Sequence, residues 1–207
     1  MILYTNHLKK LTGILLLLSA VTFFGSCKKS DDTVAPVPDP VPAVGTTWEY
    51  QFYTYNSMNG GVITSGTVTY KAKDEKVFGG EKWLNIVNSG PDTTVYLLQK
   101  KTDGLYLYAN NTSYKLFKKP AVLSETYNSY YNGLTKNFTV KGINDTLTTN
   151  IGRKATYFYE GTNAGTLYDQ LWYTDDVWLI QTIGYRKFAL GTTSYKYSAM
   201  YLNSITY

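Results

Sequence analysis

From Thr47 onward most of the chain alternates in short stretches. "TTWEYQF" sets Trp48, Tyr50 and Phe52 against Thr47, Glu49 and Gln51. "VITSGTVTYKAK" sets Val62, Val68, Tyr70 and Ala72 against Ser65, Thr67, Thr69, Lys71 and Lys73. A period of two residues puts each set on its own face, the pattern of a half-buried strand. "KWLNIV", "TTVYLLQ", "GLYLYA" and "SYKLF" follow at short intervals. Gly79-Gly80, Ser89-Gly90-Pro91-Asp92, Asp103-Gly104 and Asn110-Asn111 separate them with turn chemistry. In the second half "LTKNFTVKG", "RKATYFYEG", "QLWYT", "VWLIQTIGYRKFAL" and "SYKYSAMYLNSITY" continue the style. Gly184 inside the fourth of these predicts a bulge or bend.

No long amphipathic helix interrupts the pattern, and β-branched and aromatic residues suit a pleated surface. About ten strands without a helix make a sandwich or a barrel. Sequential hairpins favour up-and-down order, so the expected fold is all-β: one antiparallel, strongly curved sheet forming an open or closed barrel, with little helix. Pro120–Tyr131 has no clean period and is expected to hold a short helix or the loop joining two halves. "PAV" occurs at Pro42–Val44 and again at Pro120–Val122, each time ahead of an aromatic-rich stretch.

The start of the chain is different. Lys9 and Lys10 precede an uncharged run from Leu11 to Phe24, too short to span a bilayer, which takes about 20 residues, and suited to a signal-peptide core. Gly25, Ser26 and Cys27 close it. This order resembles a bacterial lipoprotein signal, with Phe24 where leucine is usual. The resemblance implies that residues 1–26 are removed and that Cys27 carries lipid, giving the chain a membrane as partner. The following "CKKSDD" looks like the lysine-then-acidic export signal of cell-surface lipoproteins in the Bacteroidetes, carried by Lys28, Lys29, Asp31 and Asp32. It implies an outer-membrane, surface-exposed location. Four of the six prolines fall in "TVAPVPDPVP", an extended stretch expected to complete a tether over residues 27–44, with the β domain over 45–207.

Composition excludes several chemistries. The only histidine is His7 and the only cysteine is Cys27. With His7 in the signal and Cys27 lipidated, no Ser-His-Asp or Cys-His catalysis, no His- or Cys-based zinc site and no disulfide remain. Without Lys9 and Lys10, 18 basic residues face 15 acidic ones, a balance of +3 with no dense basic stripe, so nucleic acid is not an expected partner. Paired acids occur at Asp31-Asp32, Asp74-Glu75 and Asp175-Asp176. The first lies in the tether and the others at expected turns, so no catalytic residue, metal or cofactor is assigned.

All four tryptophans, Trp48, Trp83, Trp172 and Trp178, lie in expected strands. Half of such residues fill the core. The remainder can form an aromatic platform for sugar rings or acyl chains, and Trp83 and Trp172 are the candidate ligand-binding residues. "VGTTWEY", "DGLYLY" and the last hairpin resemble the frame of uncharacterised bacterial lipoproteins, some similar to half-barrel carriers or lipocalin-like domains. Gly45, Trp48, Tyr50 and Gly184 carry that likeness, which speaks to fold. Two functions are therefore expected: a non-enzymatic binding domain for glycan or apolar ligand, or a structural or protein-interaction lipoprotein without a small-molecule site.

Overall fold

The computed structural model describes residues 42–189 and 193–207. These residues form twelve antiparallel strands in one nearly closed, barrel-shaped sheet, and no helix. In chain order the strands are β1 (Thr47–Tyr55), β2 (Val62–Phe78), β3 (Glu81–Asn88), β4 (Thr93–Lys101), β5 (Gly104–Ala109), β6 (Thr112–Lys118), β7 (Thr126–Tyr131), β8 (Leu134–Thr149), β9 (Gly152–Asn163), β10 (Thr166–Thr174), β11 (Trp178–Lys187) and β12 (Ser194–Thr206). The sheet runs β6-β5-β4-β3-β2-β1-β12-β11-β10-β9-β8-β7, so β1 pairs with both β2 and β12, and the edges β6 and β7 face each other without a ladder.

Side chains close that seam instead. The Tyr127 hydroxyl donates to the Leu116 carbonyl at 2.8 Å, Lys118 pairs with Glu125, and the rings of Tyr114 and Tyr130 stack at 5.3 Å. A barrel without exposed ladder edges avoids the open template that an unpaired strand presents.

Of the two expectations for Pro120–Tyr131, the loop joining two halves is met by residues 120–125; there is no helix, and the rest is strand β7. One expectation is corrected. Asp74-Glu75 is not a turn. It lies inside the 17-residue β2, just past a bulge between Ala72 and Asp74 that re-aims the strand. The bulge expected at Gly184 is present, where β11 meets β12 between Gly184 and Tyr185.

The strand order divides the sheet into two six-stranded meanders, β1–β6 and β7–β12, each preceded by a "PAV" segment. Their first strands begin alike. The Gly45 amide donates to the Ala72 carbonyl, and the Ala72 amide to the Thr46 carbonyl, both at 2.8 Å. In the second half Ser124 donates to Val140 at 2.8 Å and Val140 to Glu125 at 2.9 Å. Gly45 and Ser124 both have positive φ, at 99° and 67°. Thr47 opposes Lys71 as Thr126 opposes Thr139. The two hairpins that open the halves are thus built to one plan.

The core lies inside the barrel. Trp48 and Tyr50 on β1, Ala72 on β2, Ile86 on β3, Leu98 on β4, Phe117 on β6, Phe138 on β8, Tyr159 on β9, Leu171 on β10 and Leu202 on β12 are all buried in one cluster. Because side chains alternate, Phe52 and Thr54 continue the inner face of β1. All odd-numbered strands run toward one end, called distal here, where the hairpins β1–β2, β7–β8 and β11–β12 turn. Residues 42–46 enter at the other, proximal end.

Candidate functional site

The proximal interior is filled. Trp48, Tyr50, Leu105, Leu116, Phe117, Tyr173 and Trp178 are 2% exposed or less. Polar atoms there are mostly tied to backbone: Trp48 Nε1 donates to the Val177 carbonyl at 2.6 Å and the Tyr50 hydroxyl to Leu179 at 2.9 Å. Trp178 closes the plug against Trp48 and Tyr96, with ring centroids 5.2 and 5.5 Å away.

Toward the distal end the filling stops. A cavity of about 350 Å³ opens there, within the size range of small-molecule pockets. β1 supplies Phe52 and Thr54, β2 Val68 and Tyr70, β4 Tyr96, β7 Tyr131, the β7–β8 turn Asn132, β11 Thr182, and β12 Ser198 and Met200. The space exists because small residues share this part of the inner face. A Cβ on Gly66 would come within 2.9 Å of the Phe52 ring, and one on Gly184 within 2.5 Å of Ser198 Oγ. The two glycines let those side chains lie against the wall instead of filling the lumen.

The floor is aromatic. Tyr96 and Tyr131 stack with ring centroids 6.2 Å apart and planes within 4° of parallel, and they meet across the β6/β7 side of the barrel. Tyr70 stands edge-on to Tyr96 at 6.2 Å and donates weakly to Met200 Sδ at 3.8 Å. Burial raises the phenol pKa of Tyr70, Tyr96 and Tyr131 above the usual range, so each keeps its proton and can donate.

Behind Tyr131 lies a buried ion pair. Lys136 on β8 and Asp169 on β10 are joined, with side chains 3% and 5% exposed, and Lys136 Nζ also donates to the Tyr131 carbonyl at 2.9 Å. Burial raises the carboxyl pKa of Asp169, while the neighbouring Lys136 and the Asn132 side chain pull it down. A buried ion pair is weak evidence for stability, and it can specify geometry. Here it braces the turn that carries Asn132. Asn132-Gly133 forms that turn with both residues at positive φ, a conformation these two residue types favour in hairpins.

A second crevice of about 340 Å³ lies at the proximal end. It is lined by Glu75, Lys82 and Lys100, by Leu84, Leu98 and Gln99, and by residues 42–44. It has charged walls and no aromatic ring.

The two candidate tryptophans lie outside the cavity. Trp83 faces away from Leu84 and Ile86, on the outer side of β3. It is 1% exposed beneath Phe78, Tyr108 and Lys101, and its Nε1 donates to the Phe78 carbonyl at 3.1 Å. Trp172 lies on the outer side of β10, half-buried, stacked on Phe158 at 4.5 Å and 6°. They occupy different halves of the sheet and are not brought together. Cys27, Lys28, Lys29, Asp31 and Asp32 lie outside the described residues. Of the other acid pairs, Asp74 accepts from Asn85 at 2.8 Å, and Asp175 and Asp176 pair with Lys119 and Lys154 in the β10–β11 turn. Among the described residues no three metal-ligating side chains gather.

No family model matches the sequence, and no curated protein does. Among solved structures, a LolA superfamily protein from Nitrosomonas europaea is similar at 9% identity, over 81% of this chain and 87% of that one, with a TM-score of 0.23. A likeness that slight carries no functional argument.

Sequence reasoning missed Tyr96, Tyr131, Asn132, Thr182 and Ser198. The available signals were the Asn132-Gly133 hairpin and the alternation that places Phe52 on the face of Trp48 and Tyr50.

Proposed function

We propose that this chain is a lipid-anchored outer-membrane protein, displayed at the cell surface, whose β domain captures a small glycan or apolar ligand without transforming it. The observation that carries the binding function is the aromatic-floored cavity at the distal end. The lipoprotein-like order of Lys9, Lys10, the apolar run and Cys27 supports the anchor, and Lys28, Lys29, Asp31 and Asp32 support surface display. Residue 42, the first described, enters the domain at the end opposite the cavity. The lack of histidine and free thiol beyond the signal supports capture without turnover.

Mass spectrometry of the mature protein is expected to find acylated Cys27 as its first residue; a retained signal or another N-terminus would refute the anchor. Titration with saccharide fragments and fatty acids, followed by intrinsic fluorescence and calorimetry, is expected to saturate at one site and to be lost in Val68→Trp, which fills the cavity. Saturation that survives Val68→Trp would place the ligand elsewhere.

One observation favours a second function, docking of a protein partner. Met58 and Ile63, at and beside the β1–β2 hairpin, are 92% and 64% exposed. The absence of any response to small ligands would favour it.

A further inference from the structure

We infer that the ligand of the distal cavity is a neutral saccharide ring, oriented by Asn132 and Thr182. The inference rests on the binding function proposed above and narrows its ligand class.

Three features of the cavity select the chemistry. The first is charge. No lysine, arginine, aspartate or glutamate lines it. The nearest buried cation, Lys136, is already taken by Asp169. A carboxylate or phosphate brought into the cavity would be desolvated without a counter-charge, and a cation would meet no anion. The ligand is therefore uncharged.

The second is depth. On β1 the cavity touches residues 52–54, and on β2 it reaches Val68 and Tyr70, which pair with Tyr50 and Trp48. There the lumen is closed by Tyr50 and Trp178, at 5.7 and 5.5 Å from the rings of Tyr70 and Tyr96. A space of about 350 Å³, closed at this end, takes a compact ring whole, whereas a long acyl chain would leave its end in water.

The third is the mixture of surfaces. Tyr70 and Tyr96, both half-buried, offer ring surface, while Thr54, Asn132, Thr182 and Ser198 place amide and hydroxyl groups around it. Covering those polar groups with methylene would strip their water and return no hydrogen bond. A saccharide offers hydroxyls around its edge and C–H faces for the rings. Asn132 is exposed at the rim, and its turn is held by Lys136, which donates to the carbonyl of the preceding Tyr131 at 2.9 Å.

The test uses the full chain in lipid nanodiscs, with empty discs subtracted. Malto-, cello-, xylo- and manno-oligosaccharides are titrated beside oligogalacturonate and decanoate. One neutral series is expected to saturate. Asn132→Gly, which keeps the positive-φ turn, and Thr182→Val, which keeps the shape, are each expected to weaken it about tenfold while the domain stays folded by circular dichroism. Saturation by decanoate alone, lost in Val68→Trp, would overturn the saccharide inference and leave the cavity function standing. Preference for oligogalacturonate would overturn neutrality. Failure of every probe would overturn the cavity function and this inference with it. Neutral-saccharide binding indifferent to both variants would overturn the assignment of Asn132 and Thr182.

Discussion

The two ends of the barrel use the same alternation and the same residue types, and they come out differently. At the proximal end each inward ring meets another ring or a backbone carbonyl: Trp48 bonds to Val177, Tyr50 to Leu179, and the Tyr159 hydroxyl to Lys118 at 3.1 Å. At the distal end Phe52, Val68, Thr182 and Met200 are only half-buried around open space. The difference lies in what stands opposite each ring. Proximally it is Trp178 or Phe117. Distally it is Gly66, Gly184 or Ser198. An aromatic residue fills a barrel only when a large partner faces it; opposite a small one it becomes a wall.

The largest expected effect falls on the plug. Trp48→Ala removes a fully buried side chain together with its hydrogen bond, and is expected to cost about 4 kcal/mol in chemical denaturation. A cost under about 1 kcal/mol would mean that the proximal end is not the stabilising region.

Next comes the ion pair. Lys136→Met leaves Asp169 buried without its cation and is expected to cost about 3 kcal/mol at neutral pH. The sign of its pH dependence follows from burial. A carboxyl whose folded pKa is raised above the ordinary 3.8 favours folding in its protonated form, and that contribution is lost as pH rises through the folded value. Removing Lys136 raises the value further. The deficit should therefore be small near pH 3 and grow toward neutrality, as read from denaturation midpoints across pH. Adding Asp169→Leu should recover most of it, because an apolar replacement leaves no buried charge. A deficit independent of pH would refute the account.

Overpacking sharpens the contrast directly. Ala72→Leu at the filled end, where Ala72 is 0% exposed, is expected to cost about 2 kcal/mol. Thr182→Leu at the hollow end is expected to change stability by less than about 0.5 kcal/mol, because the added carbon enters open space. Equal costs in thermal unfolding would show that the distal cavity collapses onto its lining.

Much of this fold was legible in the sequence. Trp48, Tyr50 and Phe52 mark the inner face of β1 by alternation alone, and Gly184 marks the bulge of β11 against β12. β7 was not legible, because "TYNSYY" carries tyrosine at positions of both parities: Tyr127 and Tyr131 face inward while Tyr130, between them, stacks on Tyr114 across the β6/β7 seam. The acids of Asp74-Glu75 imitate a turn, and only pairing with β3 keeps them in a strand. The cavity was less legible still. Its lining comes from six strands and one turn, and register decides which residues meet. Residue type pointed to Trp83 and Trp172, but in "KWLNIV" both faces are apolar. Parity alone could not say that Leu84 and Ile86 turn inward while Trp83 turns out.

The smallest expected effect separates inner from outer face. Trp172 is half-buried and stacks on Phe158, so Trp172→Ala should cost about 1 kcal/mol, the scale of one exposed aromatic pair. Its ring lies on the side of β10 opposite Leu171 and Tyr173, which point into the lumen. Ligand affinity at the distal cavity should therefore be unchanged within a factor of two in calorimetry, while Val68→Trp abolishes it. The reverse outcome, affinity lost in Trp172→Ala and kept in Val68→Trp, would move the ligand face to the outside of the barrel. The Phe158–Trp172 stack would then be the aromatic platform, and the hollow distal end would be only a fault in packing.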